Sequence, residues 1–309
     1  MAKSSAASSR ELSNPSSAEL RATAKGLAFI SPWIIGFALF TAVPIGLSLY
    51  YSFCDFSSLT KPPVFIGLDN YRTLMRDEIF WISVRNTAYY AAVALPVGLV
   101  VSLGVAMLLN TRIRGLSIYR TIVFLPSLVP AVASAMLWLW LFNAKLGLIN
   151  VGLRGLGWSD PPAWLSDPQW SMPALILMSI WGVGNTVVIY LAGLQDVPRE
   201  LYEAADIDGA TALRKAWHVT LPTISPVIFF NLIMGIIGTL QVFSQAYIVT
   251  AGGPARSTYF YTMYLYDNAF QNMQRGYASA MAWIQLLVIL ALTAFAAWTS
   301  KKWVHYGGK

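Results

Sequence analysis

Six long stretches without a charged side chain leave this chain few folds to choose from. They cover about residues 26–54, 86–111, 121–144, 169–195, 219–250 and 276–300, and no Asp, Glu, Lys, Arg or His falls inside any of them. Each exceeds the roughly 20 residues a helix needs to cross the hydrocarbon layer of a bilayer. Each is continuously apolar rather than alternating, which excludes barrel strands as the spanning element. The pattern predicts an all-α transmembrane domain of six spans over residues 23–309. Pro44, Pro96, Pro126 and Pro130 lie within the runs and predict kinks. At 56% hydrophobic and 11% charged residues, the chain is not a soluble globular domain. Residues 1–22, rich in Ser and Ala, read as a disordered cytoplasmic tail. They do not read as a signal peptide, because the apolar run starts only after Lys25 and is too long for an h-region.

Lys and Arg placement sets the orientation. With the N-terminus inside, the inner segments carry Lys3, Arg10, Arg21, Lys25, Arg112, Arg114, Arg120, Arg199, Arg214, Lys215, Lys301, Lys302 and Lys309. The outer segments carry fewer: Lys61, Arg72, Arg76, Arg85, Lys145, Arg154, Arg256 and Arg275. Both termini are therefore expected on the cytoplasmic side of a membrane, with lipid around the spans. The net charge of +7 reflects this orientation in part. It does not point to nucleic acid, since no dense basic patch is interleaved with aromatics. A single cysteine, Cys54, excludes an intrachain disulfide and a cysteine-cluster metal site. His218 and His305 offer no metal constellation either.

Between the fourth and fifth runs lies a charged island, residues 196–221, that cannot cross a bilayer. It holds Asp196, Arg199, Glu200, Glu203, Asp206, Asp208, Arg214, Lys215 and His218. Asp196 as a side-chain cap and Pro198 in the first turn predict a helix start. Gly209 permits a turn that a residue with a Cβ would resist. A second short helix follows, with Ala212, Ala216 and Trp217 among its apolar positions, and Pro222 and Pro226 mark entry into the next span. Two small helices meeting at a glycine form a knob suited to a groove on a partner.

Glu203-Ala204-Ala205, Gly209 six positions after Glu203, and Leu221-Pro222 resemble the EAA loop of binding-protein-dependent ABC importer permeases. In that family the loop docks into a cleft of the ATP-hydrolysing subunit. The resemblance thus implies a coupling role for Glu203, Ala204, Ala205, Asp208, Gly209, Trp217, Leu221 and Pro222. The family's aromatic usually falls at position 216; here it is Trp217. The likeness extends over nearly the whole chain. Phe65-Ile-Gly-Leu-Asp-Asn-Tyr71, Arg120 with Phe124-Leu-Pro126, Gly147-Leu-Ile-Asn150, Leu191-Ala-Gly-Leu194, Thr250-Ala-Gly-Gly-Pro254 and Gly276-Tyr-Ala278 are similar to landmarks of the carbohydrate branch. Their order resembles the first permease of maltose- and glycerol-phosphate-type systems.

That resemblance implies a six-helix type I importer fold, a second homologous permease, two ATP-binding-cassette subunits and an extracytoplasmic solute-binding protein. ATP and Mg would be bound by the partner subunits, and this chain would carry no cofactor. Its residues agree. Paired buried carboxylates, a Ser/His/Asp set and a phosphate-cradling loop are all missing, so no enzyme is expected. Gly182-Val-Gly184 lies inside an apolar run and reads as close helix packing. An ATP-independent carrier would place ionisable groups at mid-membrane, and the runs have none. A channel would leave the charged island without a role. The expected solute is a di- or oligosaccharide or related polyol, with a non-sugar such as glycerol phosphate as the alternative.

For a neutral sugar, hydrogen-bonding groups beside small residues are needed. In the fifth run Gly238, Gln241, Val242 and Gln245 would share one face of a continuous helix, with room left by Gly235 and Gly238. Solute contacts in maltose-type relatives come from this span and the one before it. The matching positions here are Ser179, Thr186, Gly235, Gly238, Thr239 and Val242. Asn185 is a further candidate on its chemistry. The substrate-binding set is therefore Asn185, Thr186, Gly238, Thr239, Gln241 and Gln245, although such groups could equally only bind neighbouring helices together.

Overall fold

Each apolar run becomes helix, but the six spans are not six straight rods. The computed structural model describes residues 17–57, 62–111 and 114–305, backbone only for 17–22. The tail over residues 1–16 lies outside the described residues. Residues 17–22, read as the rest of that tail, are instead helical, since a helix starts at Ser17. The first span, Thr23–Ser52, contains a widened turn at Ala38–Ala42 just ahead of Pro44. A proline there cannot donate and its ring meets the carbonyl four residues back, so the turn opens. Pro96, by contrast, sits within the unbroken helix Glu78–Leu109, the second span. This helix begins eight residues before the charge-free run, because Glu78 and Arg85 lie on its outer turns. Asp77 caps it, accepting a hydrogen bond from the Ile79 N–H at 2.8 Å.

The third span breaks at the Val129-Pro130 step into Leu116–Leu128 and Ala131–Leu141, which meet at 100°. The fourth breaks into Pro168–Trp181 and Gly184–Gln195, bent by 46°. Gly182 caps the first piece, and a Cβ on Gly184 would lie 2.8 Å from the Val123 carbonyl oxygen. So Gly184 is the close-packing glycine and Gly182 belongs to the bend. The fifth span, Ser225–Val249, consists of Ser225–Leu240 and Ser244–Val249 around a non-helical step. The sixth, Arg275–Ser300, is continuous. The second span is the hub, lying against the fourth and fifth, and the first packs on the sixth. Two short strands, Cys54–Asp55 and Val64–Phe65, pair antiparallel at the outer end.

The aromatic outer segments form a packed external surface, and buried asparagines hold it. Asn70 donates to the Ser52 and Cys54 carbonyls, both at 2.9 Å. Asn86 reaches the Arg256 and Tyr259 carbonyls at 2.8 and 3.2 Å. Fully buried Asn150 donates to Ala144 and Pro162 carbonyls at 3.0 Å and accepts from Trp164 Nε1 at 2.7 Å. Thr258 Oγ1 lies 2.7 Å from both the Gly253 carbonyl, to which its hydroxyl can donate, and Thr250 Oγ1, closing the loop that contains the cis Gly253-Pro254 bond. Several of the resemblance's landmarks are thus the polar staples of loops that cannot leave a backbone group unpaired. Of the tryptophans near run ends, Trp33 and Trp81 are exposed, while Trp170 packs on Trp164 and Trp303 on Phe229.

Asp77 also accepts from the hydroxyls of Tyr264 and Tyr277. Burial by itself would raise its pKa, but these phenols and the Ile79 and Phe80 N–H groups hold it below the usual carboxylate value. A depressed folded-state pKa contributes stability above the unfolded value near about 4, lost as pH falls through the folded value. Asp77→Asn is expected to lower the melting temperature at neutral pH. It should also flatten the acid limb of a melting-temperature profile; an unchanged acid limb would count against this cap.

Candidate functional site

The charged island folds into a protruding helix–turn–helix knob. Its first helix is Arg199–Ile207, with Pro198 at the N-cap and no side-chain cap. Asp196, expected to cap it, instead terminates the fourth span as that helix's C-cap. At the other end Gly209 takes φ +70. The Ala210 N–H reaches the Ala205 carbonyl at 2.9 Å and the Gly209 N–H reaches Asp206 at 3.1 Å. This pair of crossed bonds is the Schellman ending, which closes a helix through one left-handed residue. Thr211 then starts the second helix, Ala212–Lys215, its side chain accepting from the Arg214 N–H at 3.4 Å. A widened turn, Ala216–Thr220, leads into Leu221–Thr223, with Pro222 in its first turn.

The knob's arms are tied by Tyr202 OH and buried Thr220 Oγ1, 2.9 Å apart, and by a Lys215–Asp206 ion pair. Among its charged surface it exposes three large apolar side chains: Ile207 is 88% exposed, Leu213 69% and Trp217 63%. Ala216 is half-buried, so the aromatic that protrudes is Trp217. Glu203, Ala204 and Asp208 are exposed too, and Glu203 has no side-chain partner among the described residues. Outside the apolar spans, large apolar side chains held outward by a well-closed backbone are the kind of patch that protein contacts use.

The candidate solute residues fall on the fourth and fifth spans, both of them broken. Asn185 is exposed and Thr186 half-buried in the first turn after the bend of the fourth span. Gln241 is exposed on the non-helical step of the fifth, and Gln245 is half-buried on the helix that resumes. The face expected to join Gly238, Gln241, Val242 and Gln245 is therefore not a regular helical face, because the helix stops at Leu240. Gly238 is open, with nothing within 4 Å of a Cβ, whereas Gly235 is packed against the Leu95 side chain and leaves no room. Thr239 donates to the Gly235 carbonyl at 2.7 Å and lines an apolar cleft of about 540 Å³ between the second, fifth and sixth spans. Ser179 likewise bonds the Ile176 carbonyl at 2.6 Å. The inner half of the fourth span packs on the fifth, where a Cβ on Gly193 would meet Val227 at 2.7 Å. No hydrogen bond among the described residues joins Asn185 to either glutamine. A residue outside the expected set, Gln285 in the sixth span, bonds the fifth span at its break.

The structure is thus a helical bundle of apolar spans, several of them broken, with a charged knob that carries exposed apolar side chains between two of them. The chain belongs to the family of binding-protein-dependent transport system inner membrane components, whose profile matches residues 89–305. It is 41% identical over 288 residues to the probable ABC transporter permease protein YesP of Bacillus subtilis, covering 92% of this chain and 93% of that one. It is 36% identical over 282 residues to the diacetylchitobiose uptake system permease protein NgcF of Streptomyces coelicolor, covering 87% and 80%. Its fold is similar to a bacterial ABC transporter crystal structure "involved in the import of the acidic polysaccharide alginate". The TM-score there is 0.81 at 27% identity, over 92% of this chain and 98% of that one. The chain is thus a multi-pass permease with the type I importer fold.

Proposed function

We propose that this chain is one of two homologous permeases of an importer that carries a di- or oligosaccharide, or a related polyol, inward across a bacterial or archaeal cytoplasmic membrane. The observation that carries this reading is the knob over residues 199–220, whose Ile207, Leu213 and Trp217 are largely exposed beside a Schellman-closed helix. Two ATPase subunits, which bind ATP and Mg, receive it in the cytoplasm. Both termini lie on that side, in keeping with the Lys and Arg bias. A solute-binding protein delivers the sugar to the outer face. A solved relative in complex with an "alginate pentasaccharide-bound periplasmic protein", similar at TM-score 0.80 and 25% identity, supports that step. Asn185, Thr186, Gly238, Thr239, Gln241 and Gln245 contribute solute contacts beside the broken helices, where the backbone is free to bond a ligand.

Relatives named for diacetylchitobiose and lactose support a sugar. One named for sn-glycerol-3-phosphate, 32% identical over 286 residues, supports the second reading. The deciding measurement is uptake by proteoliposomes holding this chain, its second permease, two ATPases and the binding protein. Labelled disaccharides, oligosaccharides and glycerol 3-phosphate are offered side by side. The full complex is expected to accumulate a saccharide and this chain alone nothing. Asn185→Ala, Gln241→Ala and Gln245→Ala are each expected to raise the apparent KM about fivefold, the effect of one lost hydrogen bond. Parental KM in all three variants would move the site elsewhere, and uptake by the lone chain would overturn the two-permease reading.

A further inference from the structure

The break in the fifth span has no covalent cause. Gln241, Val242 and Phe243 include neither proline nor glycine, the usual origins of a sharp interruption. Phe243 nonetheless stands at φ −143, ψ −69, away from helical values. A helix that stops inside a bilayer leaves its last carbonyls without partners, in a medium that supplies none. The break must be held from outside the segment.

Two contacts hold it. Gln285 Nε2, from the sixth span, donates to the Leu240 carbonyl at 2.8 Å and to Thr262 Oγ1 at 3.1 Å. Leu240 is the last residue of the first helical piece, so this amide meets one of the carbonyls that the break frees. The ring of Phe243 is enclosed by Tyr247 and Tyr266, with centroids 5.1 Å away in both cases. Gln285 is the single Asn or Gln in the sixth apolar run, where an amide is costly unless its hydrogen bonds are made. It lines the same 540 Å³ cleft as Thr239 and Leu240, whose walls are otherwise almost wholly apolar.

We infer that Gln285 is a positioning residue for solute recognition: by bonding the Leu240 carbonyl it keeps the fifth span broken and so presents Gln241. Without this bond the Gln-Val-Phe step has every local reason to rejoin the helix, which would swing Gln241 to another face. This role rests on the reading that Gln241 contacts the solute, and the experiment separates the two claims. In the assembled complex, a Gln241→Cys reporter is alkylated with a water-soluble maleimide; the chain's one native cysteine, Cys54, is fully buried. Gln285→Leu is combined with the reporter and, separately, tested for uptake of the labelled saccharide that the parental complex accumulates best. If Gln285→Leu fails to assemble, Gln285→Met, of similar length and more adaptable, replaces it.

The expected result is an alkylation rate changed at least about fivefold, with a KM raised about fivefold and Vmax kept, the size of one hydrogen bond lost to the solute. Parental alkylation and KM would overturn the inference. So would a fall in Vmax with unchanged KM, the signature of a residue that only supports the fold. Altered alkylation with parental KM would show that Gln285 holds the break but does not serve recognition. Parental uptake by Gln241→Ala would then remove the solute contact itself.

Discussion

Gly209→Val is expected to abolish uptake while the permease still inserts and assembles its six spans. Position 209 lies at φ +70, where a β-branched residue is strained. Nothing lies within 4 Å of a Cβ there, so no clash adds to the cost. The penalty is roughly 1–2 kcal/mol of backbone strain. That is too little to unfold a membrane bundle. It is enough to unmake the two crossed bonds to Ala205 and Asp206 and to turn Leu213 and Trp217 away from Ile207. Gly209→Asn, which tolerates the left-handed region better, should retain part of the activity. Glu203→Ala tests the same surface differently: the carboxylate has no partner within the described chain, so lost transport would have to arise between subunits. Uptake and solute-stimulated ATP hydrolysis measured on equal amounts of complex decide it. Full uptake by Gly209→Val would sink the coupling role of the knob.

How much of this was legible in the sequence follows from what hydropathy can encode. Length and lack of charge locate segments that must be helical in lipid, and all six runs are largely helical, four as long apolar helices and two as bent pairs. They carry no direction, so they are blind to where a span bends. Pro130 marked the 100° turn in the third span, yet Pro96 left its helix intact, since a kink depends on whether neighbours cover the freed carbonyl. The fourth span bends at Gly182, read from the sequence as packing. The fifth breaks at Gln241–Phe243 with no local signal, because its causes are Gln285 and Tyr266, distant in the chain. That is why a face drawn on a continuous helix failed while Gln241 itself proved exposed. Gln285 did leave a trace: a solitary amide in a 25-residue apolar run needs a buried partner. The knob was more readable, for its chemistry is local. Gly209 and the position of Trp217 follow from short-range rules, whereas Asp196 was misassigned because a cap and a C-terminus two residues apart look alike in sequence.

The largest loss of fold is expected at Gly276, not at any residue of the site. This glycine opens the sixth span against the end of the first, and a Cβ built on it would penetrate the Cys54 carbonyl and stand 3.1 Å from the Tyr51 carbonyl. Those are backbone atoms, which cannot swing aside as a side chain does. The Cys54 carbonyl is moreover fixed by Asn70, and the neighbouring Phe56 carbonyl accepts from the Arg275 N–H at 2.9 Å. Displacing the junction would separate the first span from the sixth, against which its outer half packs, and among the described residues the first span is otherwise largely exposed. Ordinary overpacking costs about 1–3 kcal/mol; with rigid backbone on the receiving side, Gly276→Val should exceed roughly 4 kcal/mol, among the most damaging single changes. Gly276→Ala should already lower the yield of intact complex sharply. Gly238→Ala, introduced where no atom lies within 4 Å, should melt like the parent. Equal melting temperatures for Gly276→Val and Gly238→Ala would refute this account of the junction.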